Sequence, residues 1–517
     1  MPALLRFTSP RQRLACPALA FALLAALTAC GGGGSNKPAS SGSGSSSGSS
    51  VTYHIGSSVA QAAPIKLGTT GGNAGDSQTN GNKITCCGGT LGALVQRDGT
   101  FFVLSANHVL AKSNAGKVGD SITQPGLDQN NCSAGATVAN LSQFADLQTS
   151  NVDAAMAAIV PGQVDTSGTI LALGAAGSTS IASAPPSATL AIPATVMASN
   201  EGVAKVGSNT GQTCSTVTSI ATSVKVDYSQ TCGGSTSFTT IFNNQVIIQG
   251  GSFSATGDSG SLVVTTDTAR PVGLLFAGNT TSSSANPIQD VLAALQDPNT
   301  HSVPAIVGGG DHAVSCVSNV AAAATTAQAE AATSTAQARV SSTVSSADRE
   351  RAEIVRQRHA AELLANPAVS SVFASASADA PSQPAIEVHL SRPSQQVPAE
   401  IEGIRTRVVR DFAEAAGQQE ITGFTTRMRA VVPIKERHAD DLLSTPGIYA
   451  VGVGRSQDDT NDAAIVIVGE PSALASIPVV MDGVRTRLLQ GDRYSTTWGK
   501  HEKLVNACTK PSSGKSK

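Results

Sequence analysis

Charge is scarce in this chain. Asp, Glu, Lys and Arg make up 14% of 517 residues, where about 25% is usual for soluble domains. Neither sign is in excess, since 34 basic and 36 acidic residues leave a net charge of −2. That balance argues against a nucleic-acid partner, which selects a basic stripe, and against an acidic solvating tail. Long apolar runs are missing too. After the first thirty positions nothing approaches the ~20 residues of a membrane helix, which excludes a polytopic membrane protein. Metal-ligand spacing is absent: no Cys-x-x-Cys occurs and no histidine pair lies nearby, so no metal site is expected. No organic cofactor is implied.

What is present begins with an export signal. Arg6, Arg11 and Arg13 flank the start of an apolar stretch, Leu14–Ala29, too short to span a bilayer and of signal-peptide length. It ends Leu27-Thr28-Ala29-Cys30. Leu27 is not the small residue that ordinary cleavage wants, and the tetrapeptide resembles a bacterial lipobox, in which Cys30 is lipidated and leads the mature chain. Gly31 resembles the default for onward sorting. The expected location is therefore the bacterial cell envelope, lipid-anchored at the outer membrane, with secretion the outcome of a plain signal. Residues 31–50 are almost all Gly and Ser, a flexible tether.

Seven cysteines follow: Cys86, Cys87, Cys132, Cys214, Cys232, Cys316 and Cys508. In an exported chain they are read as disulfides, with one thiol left over. Cys214 and Cys232 bracket a segment that alternates like a strand pair (Val217, Ile220, Val224, Val226), so a bridge between them would staple a hairpin. Cys132 would meet Cys86 or Cys87.

Length suggests about three units. Residues 51–310 are rich in Gly, Ser, Thr and Val, with short strand-like runs such as Leu91–Gln96, Phe101–Ser105 and Pro271–Ala277 and turns such as Arg97-Asp98-Gly99. That pattern is all-β, a sandwich or barrel. It closes with a helix over Asn286–Gln296. Residues 319–350 read as a helical linker rich in Ala, Thr and Ser. The remainder repeats itself: Arg358-His359, Leu363-Leu364 and Pro367 match Arg437-His438, Leu442-Leu443 and Pro446. After a one-residue slip, Gly403–Arg407 matches Gly483–Arg487. Two small α/β modules are expected, 351–410 and 430–490. Arg358, His359, Arg437 and His438 read as a helix start with a solvated face. Arg405/Arg407 and Arg485/Arg487 alternate along a strand, placing both arginines of a copy on one face, an exposed charged face or an anion-binding strip.

The chemistry concentrates in three residues of the β region. Ser259 lies in Gly257-Asp258-Ser259-Gly260-Ser261. A serine hydroxyl needs a base to take its proton, and the oxyanion it creates needs fixed donors; the N–H groups of Gly257 and Ser259 can point at one spot. His108 ends the strand-like run Phe101–His108, whereas His54 lies near the tether and His301 beyond the closing helix. Asp153 adjoins the apolar run Ala154–Ala157, where a carboxylate that orients a histidine belongs; Asp146 is its rival in a more polar setting.

These segments, Ser105–Leu110, Val152–Ala155 and Gly257–Ser261, together with Val206–Gly211 and Pro271–Gly278, resemble the trypsin-like (chymotrypsin-fold) serine proteases in His, Asp, Ser order. The nearest look is to bacterial members related to the plant NARROW LEAF 1 group. The resemblance covers about residues 85–300. It implies two six-stranded β-barrels with the site between them, Ser259 as nucleophile, His108 as general base and acid, Asp153 as its orienting partner, and Gly257 and Ser259 as the oxyanion hole. The substrate is then a protein or peptide. Phe253, Ala277 and Gly278 fall where the family forms its specificity pocket. No Asp or Glu lies between Asp227 and Asp258, which argues against Lys or Arg preference and leaves small or apolar residues. Activation in the family can depend on a new N-terminus, which would make residues 51–84 a pro-segment. The modules resemble small domains that accompany such proteins. The competing reading is a catalytically silent surface lipoprotein that binds or scaffolds through its repeats.

Overall fold

β-Branched and apolar runs, broken by Gly, Asn and Asp turns, form a framework of antiparallel strands through residues 56–316. The computed structural model describes residues 56–178, 180–316, 344–394, 397–412, 418–496 and 499–504. The expected signal peptide and tether, His54, Cys508 and most of the expected linker lie outside them. The first set of strands is β1 (Thr69–Asn73), β2 (Ser77–Asn80), β3 (Lys83–Leu91), β4 (Ala93–Arg97), β5 (Thr100–Ser105), β6 (Ser121–Gln124), β7 (Ala136–Phe144) and β8 (Ala155–Ile159). Asp98-Gly99 turns β4 into β5, with φ of 50° and 78°, the two positive angles a type I′ hairpin requires. Strands β3 and β4 are continuous through Gly92. Pairing passes from β1 to β3, from β4 to β5, and through β8, β7 and β6 back to β1.

The second set is β9 (Gly202–Gly207), β10 (Gly211–Tyr228), β11 (Phe238–Gln249), β12 (Leu262–Thr265), β13 (Pro271–Gly278) and β14 (Ser282–Pro287). Its pairing also returns on itself, β9-β10-β11-β14-β13-β12-β9. One apolar core joins the two sets, with Leu91, Val103 and Met156 from the first and Val206, Phe242 and Phe276 from the second. A one-turn helix α1 (Asn107–Leu110) follows β5, α2 (Pro193–Ser199) precedes β9, and α3 (Ile288–Ala294) follows β14 within the span expected to be helical; β15 (Ala305–Ile306) adds to β4.

From residue 344 the same series of elements occurs twice. The first is α4 (Ser346–Leu364), β16 (Val369–Ala376), β17 (Pro384–Leu390), β18 (Glu400–Ile401) and β19 (Ile404–Arg410). The second is α5 (Gln418–Ser444), β20 (Ile448–Arg455), β21 (Ala463–Gly469), a short α6 (Pro471–Leu474), β22 (Val480–Met481) and β23 (Val484–Gln490). In each, the first two long strands form an antiparallel hairpin and the last lies parallel to the second. Among the described residues no helix is long and apolar enough to cross a membrane.

The two modules face each other through reciprocal bonds. Arg405 donates to the Thr486 carbonyl (2.6 Å) and hydroxyl (2.9 Å), and Arg485 to the Thr406 carbonyl (2.7 Å) and hydroxyl (3.2 Å). Ser377 donates to Asp458, and Ser456 to Asp379. The expected exposed arginine strip is therefore corrected: Arg405 and Arg485 are each only 2% exposed. Where two strands meet without water between them, a guanidinium takes the facing carbonyl and hydroxyl as acceptors. The Arg-His pairs hold the turn of their own module, Arg358 and His359 on Glu402, Arg437 and His438 on Asp482.

The second module extends the β region itself. Strand β20 pairs with β10, from Ser219↔Gly454 to Val224↔Ala450, and Phe424 and Met428 of α5 share a core with Val217, Ile220 and Phe253. From β23 the chain returns to the first strands. A short β24 (Tyr494–Thr496) pairs with β10 and β13, and β25 (Gly499–Leu504) pairs with β3.

Among the described residues three disulfides form: Cys86–Cys132, Cys87–Cys232 and Cys214–Cys316. The expected Cys214–Cys232 bridge is corrected. The segment read as a strand pair is one strand, β10, running from Gly211 to Tyr228. With no turn back inside it, Cys214 and Cys232 are not brought side by side, and they bond Cys316 and Cys87 instead. Cys132 takes Cys86, one of its two expected partners.

Candidate active site

The serine loop is built around a buried ion pair. Lys205, on β9, places Nζ 3.1 Å from Asp258 Oδ2, and both side chains are fully buried. Burial pulls the Lys205 ammonium below its usual range, and the Asp258 charge works against that. Asp258 also accepts from the N–H groups of Asn209 (2.9 Å), Thr210 (3.1 Å) and Ala255 (3.0 Å) and from the Thr210 hydroxyl (2.6 Å). One carboxylate thus pins the turn after β9 to the segment that leads into Ser259. Its cation is internal, so neutralising it needs no new N-terminus.

Gly257 has φ of +104°, a conformation side chains rarely adopt. Its carbonyl accepts from the hydroxyls of Thr90 (2.9 Å) and Ser208 (2.5 Å), and the Thr256 carbonyl accepts from Asn209 Nδ2 (3.0 Å). In a trans peptide C=O and N–H point opposite ways, so the Gly257 N–H faces away from Asn209. The Asp258 carbonyl is held by Ser261 (2.6 Å), which turns the Ser259 N–H away from Ser261 by the same argument. The Ser259 hydroxyl donates to the Phe276 carbonyl on β13 (3.1 Å), and the Ser259 carbonyl accepts from Thr90 N–H on β3 (2.8 Å).

His108 lies on α1 rather than at a strand end, because β5 stops at Ser105. Its backbone N–H donates to Asp153 Oδ1 (3.2 Å) and its ring Nδ1 to Oδ2 (2.6 Å). A carboxylate accepting at Nδ1 fixes the hydrogen there, which makes Nε2 the basic nitrogen of the neutral ring. Tyr228 donates to the same Oδ2 (2.7 Å), and burial with the Asp153 charge holds its phenol far above the usual range, as a donor. The Asp153 N–H donates to Asn286 Oδ1 (2.9 Å). Thr90 splices the two halves: its carbonyl accepts from Ser105 (2.6 Å), three residues before His108, while its N–H holds Ser259. A Cβ on Gly260 would lie 2.0 Å from Ser105 Oγ, so that position admits only glycine. Asp153, His108 and Ser259 are each 0% exposed.

No family model matches the chain, and no curated protein does. The chain resembles several solved protease structures. They include a glutamic-acid-specific serine protease described as using a novel histidine triad in substrate binding, at 17% identity and a TM-score of 0.32, over 47% of this chain and 100% of that one. Thermobifida fusca protease A (13%, 0.28, 46% and 98%) and Cellulomonas bogoriensis chymotrypsin (14%, 0.28, 45% and 95%) are others. Likeness at this level says nothing about chemistry, which rests on the residues themselves.

Ala277 and Gly278 form the end of β13, where they pair with Thr496 and Ser495. Phe253 is 2% exposed and packs in the core shared with α5. Asp146 does not reach His108; it caps its own turn at Gln148 and Thr149. Sequence reasoning misses Lys205, Tyr228 and Asn286. Lys205 carries a usable signal, a lone charge within the apolar run Val203–Val206, since a buried charge requires a partner. Among the described residues no group of His, Cys, Asp and Glu gathers as metal ligands.

Proposed function

We propose that the β region is a trypsin-like double barrel and that the chain is an extracytoplasmic serine endopeptidase. The observation that carries this reading is Asp153 bonded at both the N–H and Nδ1 of buried His108, with Ser259 and Ser105, three residues before His108, both bonded to Thr90 of β3. His108 Nε2 takes the Ser259 proton as Oγ attacks a peptide carbonyl, and the N–H groups of Gly257 and Ser259 receive the oxyanion. Collapse expels the amine, which takes the proton from His108. Water, deprotonated by the same ring, then hydrolyses the acyl-enzyme. Asp153 and Tyr228 orient the ring and stabilise its charged form, and Lys205 with Asp258 fixes the oxyanion donors in advance.

In the same proposal Cys30 carries the lipid anchor, residues 51–310, 351–410 and 430–490 are the protease and a duplicated module, and the protein belongs with bacterial relatives of the NARROW LEAF 1 group. Three disulfides favour an oxidising compartment. The silent-scaffold reading has one observation in its favour, the complete burial of Ser259. Prolonged treatment of the chain lacking residues 1–30 with excess fluorophosphonate probe separates the two. Labelling that disappears in Ser259→Ala supports the enzyme. A folded chain that never labels, even in the variants described below, supports the scaffold.

A further inference from the structure

Ser259 is bordered by two strand edges. On one side Ser259 bonds to Phe276, and the next residues of β13, Ala277 and Gly278, pair antiparallel with Thr496 and Ser495. On the other side Ser259 bonds to Thr90, and the preceding residues of β3, Gly88 down to Lys83, pair antiparallel with Gly499 up to Leu504. Residues 494–496 and 499–504 thus each add a strand to one of these edges. Adding a strand to an exposed edge is how an extended peptide is bound. Gly499 packs directly on the oxyanion loop: a Cβ there would lie 3.2 Å from Gly257 Cα and 2.0 Å from Asp128 Oδ2.

We infer that residues 492–496 and 499–504 are two arms of a strap that lie on the substrate-binding edges in the manner of a bound peptide, so that the enzyme as folded is closed by its own C-terminal segment. The inference rests on the serine-protease reading above and assigns that site its regulation and its substrate class, extended polypeptide. The strap is anchored at both ends. Asp492 accepts from the N–H (2.9 Å) and hydroxyl (2.7 Å) of Thr280, and its carbonyl accepts from Asn279 (3.0 Å). Tyr494 is fully buried, its hydroxyl 2.6 Å from Ser282 Oγ. Glu502 pairs with Lys83 at 2.6 Å. The second module delivers the segment: β20 docks on β10, and β23 ends at Gln490, two residues before the first anchor.

Two variants of the full chain loosen the strap without altering the proposed catalytic residues. Gly499→Val places a side chain where Asp128 and Gly257 leave no room, and Asp492→Ala removes the outer anchor at an exposed position. Expected is slow fluorophosphonate labelling of Ser259 in the native chain and at least tenfold faster labelling in each folded variant. A synthetic peptide of residues 491–504 should slow the Asp492→Ala variant again. Amide hydrogen exchange supplies a readout independent of activity: residues 499–504 should be protected in the native chain and exchange at least tenfold faster in the variants. Equal labelling rates in native and variant chains overturn the inference, as does unprotected 499–504 in the native chain. Released amides with no labelling in any folded chain overturn the protease reading instead.

Discussion

Removing the charge of Lys205 while keeping its length is the sharpest perturbation of the serine loop. Lys205→Met leaves the Asp258 carboxylate buried without its cation, still facing the three N–H donors and the Thr210 hydroxyl described above. Removing one partner of a buried ion pair costs about 3–5 kcal/mol. Each ~1.4 kcal/mol is a tenfold change in the folding equilibrium, so the population of folded chain relative to unfolded falls by roughly two to three and a half orders of magnitude. Against a typical total of about 5–15 kcal/mol the loss is large and measurable. Asp258→Asn in the same chain removes the stranded charge and should recover at least ~1 kcal/mol, a coupling within the range found for contacting residues. Denaturant titration of native, single and double variants, followed by circular dichroism, measures both quantities. Labelling of Ser259 should fall in Lys205→Met even where the chain remains folded, because Asp258 no longer holds the segment from Ala255 to Gly257. A single variant that loses less than ~1 kcal/mol, or a double variant no more stable than Lys205→Met, refutes the reasoning.

The remaining predictions address the bridges, the buried acids and the histidine's support. In Cys214→Ser the thiol released should be Cys316, and peptide mapping of alkylated protein that finds Cys232 instead refutes the pairing. Burial pushes Asp76 up to about 7 and Asp128 up to about 6. Both lie above their unfolded values, so the stability they support is complete below pH ~4 and is lost as pH rises through 6 to 7. Asp128→Asn should therefore raise the melting temperature at pH 8 by removing a penalty of about 2–3 kcal/mol and change it little at pH 4; a gain confined to pH 4 has the wrong sign. Tyr228→Phe deletes one bond to the carboxylate that orients His108. Labelling should slow about tenfold at unchanged fold, whereas an unaltered rate removes Tyr228 from the proposed machinery.

Much of the local structure is legible in the residues alone. The Asp98-Gly99 hairpin follows from a turn chemistry that needs positive φ at both positions, and the strand-rich texture of residues 51–310 follows from short β-branched runs between such turns. The modules' helices and strands follow from periodicity in the same way. The chemistry-bearing residues are also visible locally: His108 beside an apolar run, Asp153 at the head of another, Ser259 between glycines that admit a tight approach. All these signals lie within a dozen neighbouring residues, where backbone preference and side-chain period act directly.

Other features involve partners that are distant in the chain. Cys87 meets Cys232, and Cys214 meets Cys316, because an 18-residue strand separates Cys214 from Cys232; the sequence after the signal segment shows seven interchangeable thiols. Lys205 finds Asp258 across two strands, and Arg405 turns from a surface residue into a buried bridge once the modules face each other. The pairing of residues 495–496 with β13 and of 499–504 with β3 depends on where β20 docks. Composition and spacing determine which strands and turns form and which side chains carry chemistry. Only the tertiary structure decides which of them meet, because strand register and the docking of one sheet edge on another are set by contacts hundreds of residues apart, each too weak alone to leave a local trace.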